Sequence, residues 1–239
     1  MNIFFDEKEP TGLLKIVGDF LFDHCDIPDI EIEAKYGQII DRNTNQRLNL
    51  PILSQTVLQD DSFIRFESNM SVNQHKRLNE LFNNQVRLMK GKYSHVKQLD
   101  KFFWRDVKIR SSFVGGIFTE SIVKTRIADL HIYCPEFPFD IRLSANREVK
   151  VQDVREGRLE TERFKDRMSY EFGSIFPLQF DLTQVKQDSE KTHELELEIR
   201  DIGALCKEKS LLEAGEENRF DFFVSLFIAN LNSIAVVIN

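Results

Sequence analysis

Apolar and polar positions alternate through most of the chain from Ser94 to Ile199, in the short runs HVKQLDKFFW, DVKIRSSF, IFTESIVKTR, ADLHIYC, FDIRLSANRE, TERFKDRMSY, FPLQFDLTQV and HELELEI. A period of two puts successive side chains on opposite faces of a strand. Gly115-Gly116, Pro135 to Pro138 and the charged loop QDVREGRLE supply breaks between runs. EIEAKYG and SFIRFES share the alternation, so about eight to ten strands are predicted, enough to close a barrel.

A helical period replaces the alternation in three places. Thr11 to Cys25 follow Pro10 with Leu13, Leu14, Ile16, Val17, Phe20 and Leu21 at helical spacing. Ser71 is placed to cap a helix running to Lys90, with Leu78, Leu81, Phe82 and Met89 on one face. After Glu216, Phe220, Phe223, Val224, Phe227, Ile228, Leu231 and Ile234 fall in register, apolar over more than one face, which predicts burial or a subunit interface. The expected fold has an all-β core, α+β overall, with helices flanking a barrel.

Composition narrows this picture. The 239 residues, 41% hydrophobic, can bury a sizeable core and are expected to form one domain, 1–239. Acidic residues outnumber basic ones 39 to 32, for a net charge of −7. That argues against an extended nucleic-acid tracking surface and leaves room for a local basic pocket. Cys25, Cys134 and Cys206 are odd in number and widely spaced, without a CxxC, so neither a disulfide framework nor a structural zinc site is expected. No apolar run reaches the ~20 residues of a membrane span, and the start, MNIFFDEKEP, lacks signal-peptide regions. A soluble, intracellular chain is expected.

Sorting the strands by parity segregates charge. Glu31, Glu33 and Lys35 share one face of EIEAKYG, and Glu194, Glu196 and Glu198 share one face of HELELEI. Arg163, Lys165 and Arg167 align in TERFKDRMSY; Asp140, Arg142, Ser144, Asn146 and Glu148 align in FDIRLSANRE; Lys108 with Arg110, Lys124 with Arg126, and Asp181 with Thr183 complete the set. A solvated sheet face also carries charge, but it gains nothing from stacking like charges two residues apart. If the apolar faces meet the helices outside, these charged faces line the inside. Carboxylates alternating along two strands suit a hard divalent ion, Mg²⁺ or Mn²⁺, and the opposing cations suit phosphate. Such a site performs phosphohydrolysis without a Gly-rich loop.

ExExK in EIEAKYG, the RxKxR strand in ERFKDRMSY, FDLT and ELELEI, in this order, resemble the triphosphate tunnel metalloenzymes, and within them the fungal-type RNA 5′-triphosphatases of mRNA capping. IADLHIYCPEFPFDIRLSANRE resembles the paired central strands of that group. The resemblance implies a closed eight-stranded antiparallel barrel and removal of the γ-phosphate from triphosphate-ended RNA. It implies Glu31, Glu33, Glu196 and Glu198 as the metal set, with Glu194 and Lys35 as neighbours. Lys165, Arg167, Arg163, Lys124 and Arg142 take phosphate-binding positions, with Lys108 or Arg110 filling the preceding strand's place. Lys165 and Arg167 are also read as catalytic, Glu148 as orienting the attacking water, and Asp181 and Thr183 as supports. The resemblance further implies nuclear location, a homodimer, and association with guanylyltransferase or the transcription machinery. The tryptophan docking peptide of some members is not found, since Trp104 lies within a predicted strand. A tunnel enzyme for inorganic triphosphate or nucleoside triphosphates is the alternative, and a silent phosphate-binding barrel is a third reading.

Overall fold

The computed structural model describes residues 12–59, 61–152, 157–173 and 176–238. Helix α1 (Leu13–His24) leads into the long strand β1 (Ile30–Asp41), followed by the short strands β2 (Thr56–Val57) and β3 (Ile64–Glu67) and helix α2 (Val72–Met89). Seven strands come next: β4 (Lys92–Trp104), β5 (Lys108–Val114), β6 (Ile117–Tyr133), β7 (Asp140–Val151), β8 (Arg158–Phe172), β9 (Leu178–Gln187) and β10 (Glu190–Ile199). Helices α3 (Ile202–Glu213) and α4 (Phe220–Ile238) complete the described chain.

The strands run in the order β10-β9-β8-β4-β5-β6-β7-β1, and β1 pairs back onto β10, closing an eight-stranded barrel in which every pairing is antiparallel. Closure removes the free edges that an open sheet would expose. Local chemistry fixes the turns. Gly115 and Gly116 take φ of 59° and 80°, the left-handed pair of a two-residue hairpin between β5 and β6. Gly37 sits where β3 crosses β1, and a Cβ there would lie 2.1 Å from the Glu67 carbonyl oxygen. Ser71 caps α2 as expected, in a reciprocal capping box with Gln74.

The core lies outside the barrel. Ile32, Ala34 and Tyr36 of β1, Leu195, Leu197 and Ile199 of β10, and Ile141, Leu143 and Ala145 of β7 pack beneath Val17 and Leu21 of α1, Leu78 and Phe82 of α2, Leu205 of α3 and Phe223, Val224 and Phe227 of α4. Each such large side chain contributes about 1.5–3 kcal/mol on burial. Phe176 stacks on Phe223 at 4.4 Å between ring centroids. The fully buried Tyr36 donates its hydroxyl to the Leu231 carbonyl at 3.0 Å, tying β1 to α4. With the apolar faces spent on this layer, the opposite faces turn into the barrel.

One expectation is corrected. IFTESIVKTR and ADLHIYC form one strand, β6, with a register shift between Arg126 and Ala128 in place of a break. Helix α3, before Glu216, has no counterpart among the predicted elements; its buried positions include Glu208 and Lys209, so no apolar stripe announces it. Thr11, at the start of the first predicted helix, and residues 153–156 of the QDVREGRLE loop lie outside the described residues.

Candidate active site

The acidic wall is built by β1 and β10, whose pairing sets Glu33 opposite Glu198 and Lys35 opposite Glu196. Opposite residues of an antiparallel pair share a face, so five carboxylates converge here. Two lysines divide them. Lys35 Nζ bonds Glu196 and lies 3.8 Å from Glu194 and 4.0 Å from Glu33. Lys124 Nζ, from β6, bonds Glu31 and lies 3.0 Å from Glu148 and 3.6 Å from Glu33. Asn146 Nδ2 donates to Glu31 at 3.3 Å and to Glu33 at 3.2 Å.

The basic wall faces it from β8, β5 and β4. Lys165 pairs with Asp100 at 2.7 Å, and Asp100 also accepts from Ser112 and Gln98. Arg167 reaches Asp181 at 3.1 Å, Thr183 at 3.3 Å and Glu196 at 3.6 Å. Arg163 pairs with Glu194 at 2.9 Å. Arg110 reaches Glu148 at 3.4 Å, whereas Lys108 lies one step outward, 3.7 Å from Glu160. Depth thus separates the two candidates: Arg110 belongs to the central cluster and Lys108, half-exposed, to the rim. Arg142 lies over the Phe66 ring at 4.9 Å and 3.9 Å from Asp129.

Electrostatics grades these groups. Burial works against the Lys35 charge, yet Glu196, Glu33 and Glu194 raise its pKa and keep it protonated. Burial likewise opposes the Glu196 charge, but Lys35 and Arg167 hold its carboxyl far below the usual range. Glu31 is shifted upward by burial and by Glu33. Glu198 is pushed up to about 7 by burial, with Glu31 and Asp181 reinforcing the rise and Arg200 opposing it. Glu148 is shifted down against its burial by Lys124 and Arg110. On the basic wall, Asp100 falls to about 2 because Lys165 outweighs its burial. Lys165 itself holds its proton less tightly than a free lysine, through burial and the nearby Arg167 and Arg110. A buried ammonium so placed favours a further anion beside it.

Among the described residues, no three Asp, Glu, His or Cys side chains already form a metal-holding group. The donor chemistry nevertheless fits a hard divalent ion: Glu31 and Glu198, the latter opposite Glu33, each pair with a single cation, Lys124 and Arg200, and burial still raises both carboxyls. The sixteen residues singled out in the sequence therefore fall around one tunnel, with Lys108 at its rim. Asp100 was not among them, and Asn146 stood only in the aligned set of its strand, without a role. Asp100 was within reach of the parity count, since it alternates with Gln98 on β4.

The family described as mRNA capping enzyme, beta chain, matches residues 8–238. The chain belongs to this family. The mRNA-capping enzyme subunit beta of Schizosaccharomyces pombe is 31% identical over 91% of this chain and 78% of its own length. The chain covers 59% and 44% of the beta subunits of Cryptococcus neoformans and Candida albicans. The solved structure of the S. pombe Pct1 RNA triphosphatase superposes with a TM-score of 0.88 at 31% identity, over 98% of this chain and 96% of that one. A second structure of Pct1, in complex with the Spt5 CTD, gives 0.87 at 31% identity over 95% of each chain. The eight-stranded barrel with its four flanking helices is the triphosphate tunnel of this capping-enzyme family.

Proposed function

We propose that this chain is a metal-dependent RNA 5′-triphosphatase that converts a 5′-triphosphate end and water into a 5′-diphosphate end and phosphate, the first step of capping. The observation that carries the reading is the apposition, inside one closed barrel, of Lys165 and Arg167 with Glu196 of β10 and of Arg110 with Glu148 of β7. Lys165, Arg167 and Arg110 neutralise charge growing on the transferred phosphoryl group, and they need no reorganisation to do so. Asp100 fixes the Lys165 ammonium, while Asp181 and Thr183 orient the Arg167 fork. Glu148, kept ionised by Lys124 and Arg110, accepts a hydrogen bond from the attacking water and aims it. Arg163, Arg142 and Lys108 extend the cationic surface along the triphosphate. A Mg²⁺ or Mn²⁺ ion held by Glu31, Glu33, Glu196 and Glu198 would polarise the phosphate oxygens and share their charge. Lys35 and Glu194 brace that carboxylate set.

Phosphate release from triphosphate-ended RNA, ATP and inorganic triphosphate, compared side by side with and without Mg²⁺ or Mn²⁺, tests this reading. RNA is expected to be turned over only with metal. Turnover confined to inorganic triphosphate overturns it in favour of a small-polyphosphate enzyme. The reading extends to nuclear action on nascent RNA and to one functional domain spanning 1–239. A transcription-machinery partner is supported by the Pct1 complex with the Spt5 CTD. A homodimer is supported by Phe222 and Val236, which α4 leaves 58% and 65% exposed.

A further inference from the structure

The inward face of β4 changes character along its length. Gln98 and Asp100 lie deep, with Asp100 fully buried against Lys165, and the next two positions on that face are Phe102 and Trp104. Leu99, Lys101 and Phe103 line an outer groove of the barrel, which confirms the alternation. The β4–β5 register sets Phe102 opposite Arg110 and Trp104 opposite Lys108. On the other side Trp104 faces Arg158. A half-exposed ring, 50% accessible, thus stands at the tunnel rim with Lys108 and Arg158 at the flanking strand positions. One step inside, Lys108 Nζ lies 5.1 Å from the centroid of the Phe102 ring.

Rings flanked by cations are the means by which proteins hold single-stranded nucleic acid: the rings stack on bases and the cations track the phosphates. Same-face neighbours on a strand are about 6.7 Å apart, twice the ~3.4 Å repeat of stacked bases, so one base fits between the two rings. We propose that Phe102 and Trp104 form a nucleobase subsite at the tunnel mouth, receiving the 5′-terminal nucleotide whose phosphates extend inward past Arg110 to Lys165. The proposal rests on the triphosphatase reading and specifies how the tunnel distinguishes a polynucleotide end from inorganic triphosphate.

Trp104 is the single tryptophan of the chain, so its emission reports on the subsite without labelling. In Mg²⁺, RNA ending in a 5′-diphosphate quenches that emission, whereas inorganic diphosphate does not. An equal response to both, or no response at RNA concentrations that inhibit turnover, overturns the subsite. In turnover, triphosphate-ended RNA lacking its first base shows a KM raised about tenfold with kcat nearly unchanged, and Trp104→Ala or Trp104→Leu erases that difference. A tenfold difference that survives in both variants overturns the subsite. If wild-type protein binds RNA but releases no phosphate, the triphosphatase reading falls, and the emission arm still decides the subsite.

Discussion

The outward side chains of β10, His193, Leu195, Leu197 and Ile199, and its inward ones, Glu194 and Glu196, with Glu198 partly covered at the end, are removed from water by opposite chemistry within one strand. Outward, apolar groups are removed from water beneath helices, and the gain follows area. Inward, charge is removed from water only because each carboxylate meets a cation, and the gain depends on which partner remains. The outer layer therefore tolerates a change of shape better than a change of polarity, and the tunnel does the reverse.

Substitutions that exchange the two chemistries give the largest effects. Lys35→Met adds apolar surface yet strands Glu33, Glu194 and Glu196 together, and is expected to lower unfolding stability by about 3–5 kcal/mol. Leu197→Ala, on the outer face, is expected to cost about 2–5 kcal/mol through the cavity it leaves. Denaturant titration beside Lys35→Arg and Leu197→Met separates them, because a retained charge is expected to recover most of the first loss and a retained volume most of the second. Equal behaviour of the pair would break the contrast.

Activity is expected to respond only to the inner face. Glu31→Ala and Lys165→Ala should each reduce phosphate release from triphosphate-ended RNA at least about a hundredfold, the scale of one lost electrostatic contact in a transition state. Leu197→Ala, assayed below its unfolding transition, should remain within about threefold of wild type. Full activity in Glu31→Ala would sink the metal-site assignment.

The smallest effect sharpens the comparison from the outer side. His75 of α2 meets His193 of β10 with ring centroids 4.8 Å apart, and each ring leaves one buried nitrogen without a hydrogen-bond partner. Burial, reinforced by His193, lowers the His75 pKa to about 4. The unfolded chain, with histidine near 6.5, then binds more protons between pH 6.5 and 4, so stability falls as pH drops through that window and is full above it. The slope is at most about 1.4 kcal/mol per pH unit for this group. Comparing denaturation midpoints at pH 7 and pH 5, His75→Phe should flatten the loss; an unchanged slope assigns it elsewhere.

The sequence made the strands, the three amphipathic helices and the two-faced wall legible because alternation directly records which side of a sheet each residue occupies. EIEAKYG and HELELEI were readable in isolation, as were the cations of TERFKDRMSY. Pairing was not. Nothing in the spacing says that Lys35 chooses Glu196, or that Lys165 rests on Asp100, since those contacts depend on barrel closure and register. The β6 irregularity at Arg126 shifted parity and mimicked a strand end. Helix α3 escaped because Glu208 and Lys209 are buried against Arg219 and Asp26, which breaks the apolar stripe.

The strand pair that closes the barrel joins β1, near the beginning of the described chain, to β10, near its end. Contacts so distant in sequence form late, because loop-closure entropy must be met before they contribute. Until then β1 and β10 present two unpaired edges and a row of unneutralised glutamates. The carboxylate cluster is complete only once β10 docks on β1, so a chain still on the ribosome, or one arrested before that pairing, lacks half of its acidic wall.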